Sequence, residues 1–228
     1  MKRPNPKYLN FPISLLQGFM EDTMQALGKI IDYCIVYEMK VHQKPVDELL
    51  ADFRMKKPSD LLGWLEGSTK IFNETPTNQP RTGMEVRVFW EFYQEKKTDE
   101  EKAILLAFLA VKSILGVNLW YKLGKQEIIF HRMAGQADCK GEIPDTIKPF
   151  TTRYKFDKIK AALQLHWGMV IYANHTRGMF ISTVLSLEEL AFCVEKMKVA
   201  TKLKQDRLKT QQEEARKQAL FRLSENRT

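Results

Sequence analysis

The sequence predicts a mainly α-helical protein with one small β-hairpin. Three observations support this fold class. Apolar residues recur at helical spacing through most of the chain, and three capping boxes mark places where helices can begin. Over residues 169–183 the pattern changes to two short runs rich in β-branched and aromatic residues, joined by a five-residue polar turn that contains glycine.

The first helix is predicted to follow an extended N-terminal arm. Residues 1–12 contain three prolines, and Ser14 followed by Gln17 has the capping-box spacing. Apolar residues then keep helical period to about Glu38, before Pro45. The sequence therefore predicts one long helix from Ser14 onward.

A domain boundary is predicted near residue 75. Two shorter helices are expected at 46–53 and 60–72, and residues 73–83 then contain two prolines, a glycine and several amide or hydroxyl side chains. Such a composition is typical of a linker. The predicted organisation is an N-terminal helical domain (1–75), a second domain (76–185) and a long C-terminal helix or tail (186–228).

The second domain opens with a further capping box, Thr82 with Glu85, which predicts a helix to about Tyr93. The alternation of residues 86–88 also permits a strand there. Thr98 with Glu101 predicts the next helix.

That next helix, residues 99–115, is apolar nearly all round, and a helix without a polar face is a central one. Residues 117–123 are short and permit a small strand, and residues 125–133 predict a compact second helix.

Residues 151–183 predict a helix followed by a hairpin. Phe156, Ile159 and Leu163 recur at helical spacing within 154–167, and Gly168 stands where a C-terminal glycine belongs. The two β-rich runs, 169–173 and 179–183, follow it.

The order helix, short strand, helix, helix, hairpin over about residues 98–183 resembles the winged helix-turn-helix superfamily. The resemblance implies a three-helix core in which residues 154–167 form the helix that enters the DNA groove. Residues 136–150 depart from the pattern, because a tight turn is usual between the second and third helices.

Charge supports a polyanionic partner. The chain carries a formal net charge of +8 and has a pI near 9.3. Between residues 146 and 179, six Lys or Arg residues stand against the single acid Asp157. Clustered cations of this kind bind phosphates, although a Lys-rich solvated helix face explains them equally well.

Candidate contacts follow from the helix and the hairpin. Lys160 and Gln164 lie one turn apart and are predicted to face bases, because Lys and Gln hydrogen-bond base edges. Residues at or near the start of the helix are predicted to contact phosphates: Thr151, Thr152, Arg153, Lys155 and Lys158. Residues at the hairpin tip are predicted to reach the backbone or the minor groove: Asn174, His175 and Arg177. The alternative for the tip is that Arg177 and Gly178 only build the turn.

Three functions remain open from the sequence. The first is duplex-DNA binding, as a transcriptional regulator or a replication accessory factor. The second is a protein-interaction adaptor that uses the winged helix as a scaffold and docks partners, or itself, through residues 1–75 or 186–228. The third, single-stranded DNA or RNA binding, needs exposed aromatic residues, for which Trp120 and Tyr121 are the adjacent candidates.

Other function classes have no support in the sequence. Four dispersed histidines and three dispersed cysteines lack zinc-ligand spacing, and no phosphate-binding glycine loop or glycine-flanked nucleophilic serine occurs. No enzyme activity, metal or cofactor is therefore expected. The odd cysteine count indicates a reducing compartment, and the basic N-terminus lacks the apolar stretch of a signal peptide. A cytoplasmic protein that does not interact with a membrane is expected.

Overall fold

The computed structural model describes residues 7–174 and 178–225. Over these residues the protein is mainly α-helical, with two small antiparallel sheets rather than the single hairpin that the sequence predicts. The helices are α1 (Thr23–His42), α2 (Val46–Asp52), α3 (Leu61–Glu74), α4 (Val86–Gln94), α5 (Asp99–Leu115), α6 (Glu127–Met133), α7 (Arg153–His166) and α8 (Leu187–Glu225). The strands are β1 (Tyr8–Pro12), β2 (Arg81–Glu85), β3 (Tyr121–Leu123), β4 (Val170–Asn174) and β5 (Gly178–Ser182).

The first sheet pairs β1 with β2 in antiparallel register, with Asn10 opposite Gly83. The predicted extended arm therefore includes a strand. The prediction that the first long helix begins at Ser14 is wrong. Ile13–Leu16 form a short 3-10 helix, and α1 begins only at Thr23. Asp22 caps α1 instead, since its carboxylate accepts a hydrogen bond from the Gln25 backbone N–H at 2.9 Å.

Strand β2 occupies part of the segment predicted to be a linker, and the helix predicted from Thr82 begins at Val86 instead. The Thr82 hydroxyl is buried and donates to the carbonyl of Leu109 on α5 at 2.7 Å. One cluster of buried apolar side chains runs from Leu9 to Ile181, on both sides of residue 75. The division of the chain at residues 75 and 185 stays a prediction, although the core continues across the first of these positions.

Helix α5 lies at the centre of this core, as its nearly all-apolar sequence predicts. Its capping box is confirmed: the Thr98 hydroxyl caps the Glu101 backbone N–H, and the Glu101 carboxylate accepts from the Thr98 backbone N–H at 2.8 Å. The helix ends at Gly116.

The second sheet has the strand order β3-β5-β4 and is antiparallel throughout. Its central strand, β5, pairs with β3 on one side and with its hairpin partner β4 on the other. The first turns of α8 pack against this sheet, where Leu190 and Val194 are buried with Phe180. The short strand that the sequence permits at 117–123 is thus the third strand of the hairpin sheet.

In the part of the chain that the structure describes, no helix combines the length and the apolar character needed to cross a bilayer.

Candidate nucleic-acid interface

Helix α7 forms within one residue of its predicted bounds. Thr152 caps its N-terminus, because the threonine hydroxyl accepts from the Lys155 backbone N–H at 3.4 Å. Phe156, Ile159 and Leu163 are buried and hold one side of the helix against the core. The opposite side is left to solvent.

Two of the predicted contact residues lie at opposite margins of the buried face and form ion pairs. Lys155 pairs with Glu100 at the start of α5, and Lys160 pairs with Asp157 at 2.6 Å. The side chain of Lys160 is only 24% exposed and its ammonium lies 5.3 Å from the centre of the Phe156 ring. Lys160 is therefore less exposed than Gln164, one turn further along the helix, and its contact with bases stays a prediction.

These pairs shift the titration of their acids. A hydrogen bond from Lys160 lowers the pKa of Asp157, and a hydrogen bond from Lys155 lowers the pKa of Glu100. Both acids are exposed. The ion pairs hold Lys155 against α5 and Lys160 along α7. They also reduce the positive charge that α7 can offer to a ligand.

The outward face of α7 carries Arg153, Lys158 and Gln164, all exposed. The Arg153 side chain is 97% exposed and its Nε lies 4.0 Å from Asp157. Lys158 lies over the Tyr154 ring, 4.8 Å from its centre, and a hydrogen bond with Tyr154 raises the pKa of the lysine.

Two apolar residues on the same face are missing from the sequence-based candidates. Tyr154 is 66% exposed and Leu165 is 77% exposed. Both positions lie opposite Phe156, Ile159 and Leu163 when the sequence is placed at 100° per residue, so helical periodicity alone can find them. An exposed tyrosine and leucine beside cations form a mixed surface rather than a uniformly basic one.

Two further predicted contacts, Thr151 and Asn174, lie at the two ends of this region. Thr151 donates its hydroxyl to the Lys148 carbonyl at 2.9 Å, in the short 3-10 helix Lys148–Phe150 that precedes α7. Asn174 ends strand β4. His175 and Arg177 lie outside the described residues.

A second basic surface lies on α8. Within residues 201–210 every residue is exposed, and four Lys or Arg residues stand against one acid. The basic residues are Lys202, Lys204, Arg207 and Lys209. Because α8 packs on the hairpin sheet through its first turns, this surface continues outward from the sheet that follows α7.

Neither a metal centre nor a known family accounts for these surfaces. Among the described residues, no group of three or more His, Cys, Asp or Glu side chains is placed to hold a metal ion. Comparison of the chain with family models, with curated proteins and with solved structures gives no significant match in any of the three.

Proposed function

We propose that the protein binds duplex DNA through residues 98–183, as a winged helix, and acts as a transcriptional regulator or a replication accessory factor. The observation that carries this proposal is the element order α5, β3, α6, α7, β4, β5, in which the first strand pairs with the second strand of the hairpin. That is the order on which the resemblance to winged helix-turn-helix proteins rests.

In this proposal the outward face of α7 enters the major groove. Gln164 is the residue suited to base edges, because an amide can donate to and accept from one base. Arg153 and Lys158 are suited to phosphates on either side. Lys155 and Lys160 support the helix through their ion pairs with Glu100 and Asp157 and have a smaller part in binding.

The exposed basic residues of α8 add a sequence-independent contribution. Each phosphate that a Lys or Arg neutralises releases counterions and adds about 0.9 to the salt slope of the binding constant. Residues 201–210, with a net charge of +3, therefore raise affinity for any duplex without selecting a sequence.

The test is fluorescence anisotropy with a labelled duplex over a salt series. Replacing Arg153 and Lys158 by Gln should weaken binding and lower the salt slope by roughly 2, since two phosphate contacts are lost. The matched control is the Lys29→Gln, Lys70→Gln double variant, which loses the same charge from exposed positions on α1 and α3.

The control should retain the salt slope of the parent protein. Equal losses in the two double variants would indicate nonspecific attraction to net charge and would contradict the proposed interface. No duplex binding at low salt would contradict it as well.

A protein-interaction adaptor is the second candidate, and the exposure of Tyr154 and Leu165 favours it. Interfaces are enriched in aromatic anchors, and exposed apolar groups on a rigid helix can supply them. Absence of binding to duplex DNA, single-stranded DNA and RNA alike would support the adaptor over every nucleic-acid function.

A further inference from the structure

A cleft of about 520 Å³ lies between the edge of the first sheet, α4, α5 and the end of α7. This volume is within the range of pockets that bind small organic molecules. Apolar side chains from three helices line much of it, among them Val88, Ile104, Phe108 and Trp167. The Phe108 and Trp167 rings lie 4.6 Å apart between centres, and together they form an aromatic wall.

Lys112 of α5 is the polar group that distinguishes this cleft. It is half-buried, and its ammonium lies 5.1 Å from the centre of the Tyr8 ring and 5.5 Å from that of Phe108. Burial lowers the pKa of Lys112, and the charge of Glu85 acts in the opposite direction. The lysine is thus held among aromatic rings at the cost of part of its hydration.

Three acids, Glu85, Glu91 and Glu101, line the cleft, and each has a hydrogen-bond or ion-pair partner other than Lys112. Glu85 accepts a hydrogen bond from the Tyr8 hydroxyl at 3.2 Å. Lys97, the other lysine of the cleft, pairs with Glu91 at 2.9 Å and with Glu95 at 2.6 Å. Among the residues that the structure describes, no carboxylate lies within 4.0 Å of the Lys112 ammonium.

We infer that this cleft is a binding site for a small organic anion with an aromatic body. The anionic group, a carboxylate, phosphate or sulfonate, pairs with the Lys112 ammonium, and the aromatic body lies against Phe108 and Trp167. A partly desolvated cation with no carboxylate within 4.0 Å supplies the charge-assisted contact, and the aromatic wall supplies apolar area. The site does not depend on nucleic-acid binding.

The charge and the body of the ligand are tested separately by two probes. The anionic probe is 1-anilinonaphthalene-8-sulfonate, and the matched neutral probe is N-phenyl-1-naphthylamine, which has the same rings without the sulfonate. Both are titrated into the full chain under native conditions, and their fluorescence is followed to saturation. We expect saturable binding of the sulfonate.

Lys112→Gln should weaken binding of the sulfonate about tenfold, because one charge-assisted contact is lost. The affinity for the neutral probe should not change. Lys112→Arg, which keeps the charge, should retain most of the affinity. Far-UV circular dichroism and thermal unfolding of each variant check that the fold is intact.

Trp167→Ala provides a variant that does not alter the charge. This substitution should weaken the binding of both probes by a similar factor, because the aromatic wall contacts the ring system that the probes share. Sulfonate binding that is the same in the parent protein and in Lys112→Gln would overturn the inference, and so would a failure of the sulfonate to saturate the folded parent protein.

Discussion

Two glycines have nearly the same backbone conformation and very different surroundings. Gly135 after α6 has φ +74° and Gly168 after α7 has φ +63°, both in the left-handed region where an L side chain is strained. A Cβ on Gly168 would meet nothing within 4 Å, whereas a Cβ on Gly135 would lie 2.8 Å from the backbone nitrogen of Gln17. Glycine is therefore required at position 135 by packing as well as by backbone conformation.

Alanine at each glycine separates these two effects. Gly168→Ala should lower the free energy of unfolding by roughly 1 kcal/mol, the cost of the left-handed conformation alone. Gly135→Ala should lower it by roughly 2 kcal/mol more, because backbone near Gln17 must move. Urea denaturation measures the free energy of unfolding of both variants. Equal losses of this free energy would show that Gln17 does not approach Gly135 closely.

At the scale of single elements, three capping-box spacings had three different outcomes. Thr98 with Glu101 begins α5 as predicted, whereas Thr82 with Glu85 falls in strand β2. Ser14, the first residue of the third spacing, lies in the 3-10 helix Ile13–Leu16. Strand β2 forms because it pairs with β1, more than 70 residues earlier, and a local spacing contains no information about that partner. A capping box indicates where a helix can begin, and tertiary pairing decides whether it does.

Local sequence patterns also predict only part of the candidate interface. The bounds and buried side of α7 could be predicted, because they depend on local spacing and on a capping threonine. The pairing of Lys155 could not, since its partner Glu100 lies 55 residues away in the sequence. The local pattern also did not identify Asp157, rather than a phosphate, as the partner of Lys160.

The capping box of α5 gives a prediction for a single element. Thr98→Ala should lower the free energy of unfolding by about 1 kcal/mol, because the Glu101 backbone N–H loses its acceptor. Thr201→Ala is the matched control, as this threonine lies exposed within α8 and caps no helix. A loss in the control as large as in Thr98→Ala would exclude capping as the cause.

The capping box of α5 also predicts that the stability of the protein depends on pH. Hydrogen bonds from the Thr98 backbone N–H and hydroxyl lower the pKa of Glu101 below its ordinary value of 4.5. A carboxyl whose folded-state pKa is lowered stabilises the protein above its unfolded pKa and loses that contribution as pH falls through the folded pKa. The stability gap between the parent protein and Glu101→Ala should therefore be full near pH 7 and should narrow below about pH 4.5.

Denaturation of both proteins at a series of pH values measures this gap. Glu101→Gln serves as a control, because its uncharged amide oxygen can still accept from Thr98 without titrating. A gap that stays constant down to low pH would contradict a role for the ionised carboxylate.

At the scale of the whole molecule, the continuous core joins regions that the sequence divides. Leu27 of α1, Leu106 of α5 and Ile159 of α7 belong to one buried cluster. Much of strand β2 and the hydrogen bond from Thr82 to Leu109 lie where a linker was expected. Elements that share one core unfold together, so the described elements from β1 to β5 should behave as a single cooperative unit.

Two variants that each keep one tryptophan test this cooperativity. One keeps Trp64 on α3, within residues 1–75, and the other keeps Trp167 at the end of α7, with phenylalanine at the other three positions. Both retained side chains pack against the shared core, so each should report the same urea midpoint as far-UV circular dichroism of the same variant. A Trp64 transition at clearly lower urea than the circular dichroism transition would instead support a separate N-terminal domain, with its boundary near residue 75.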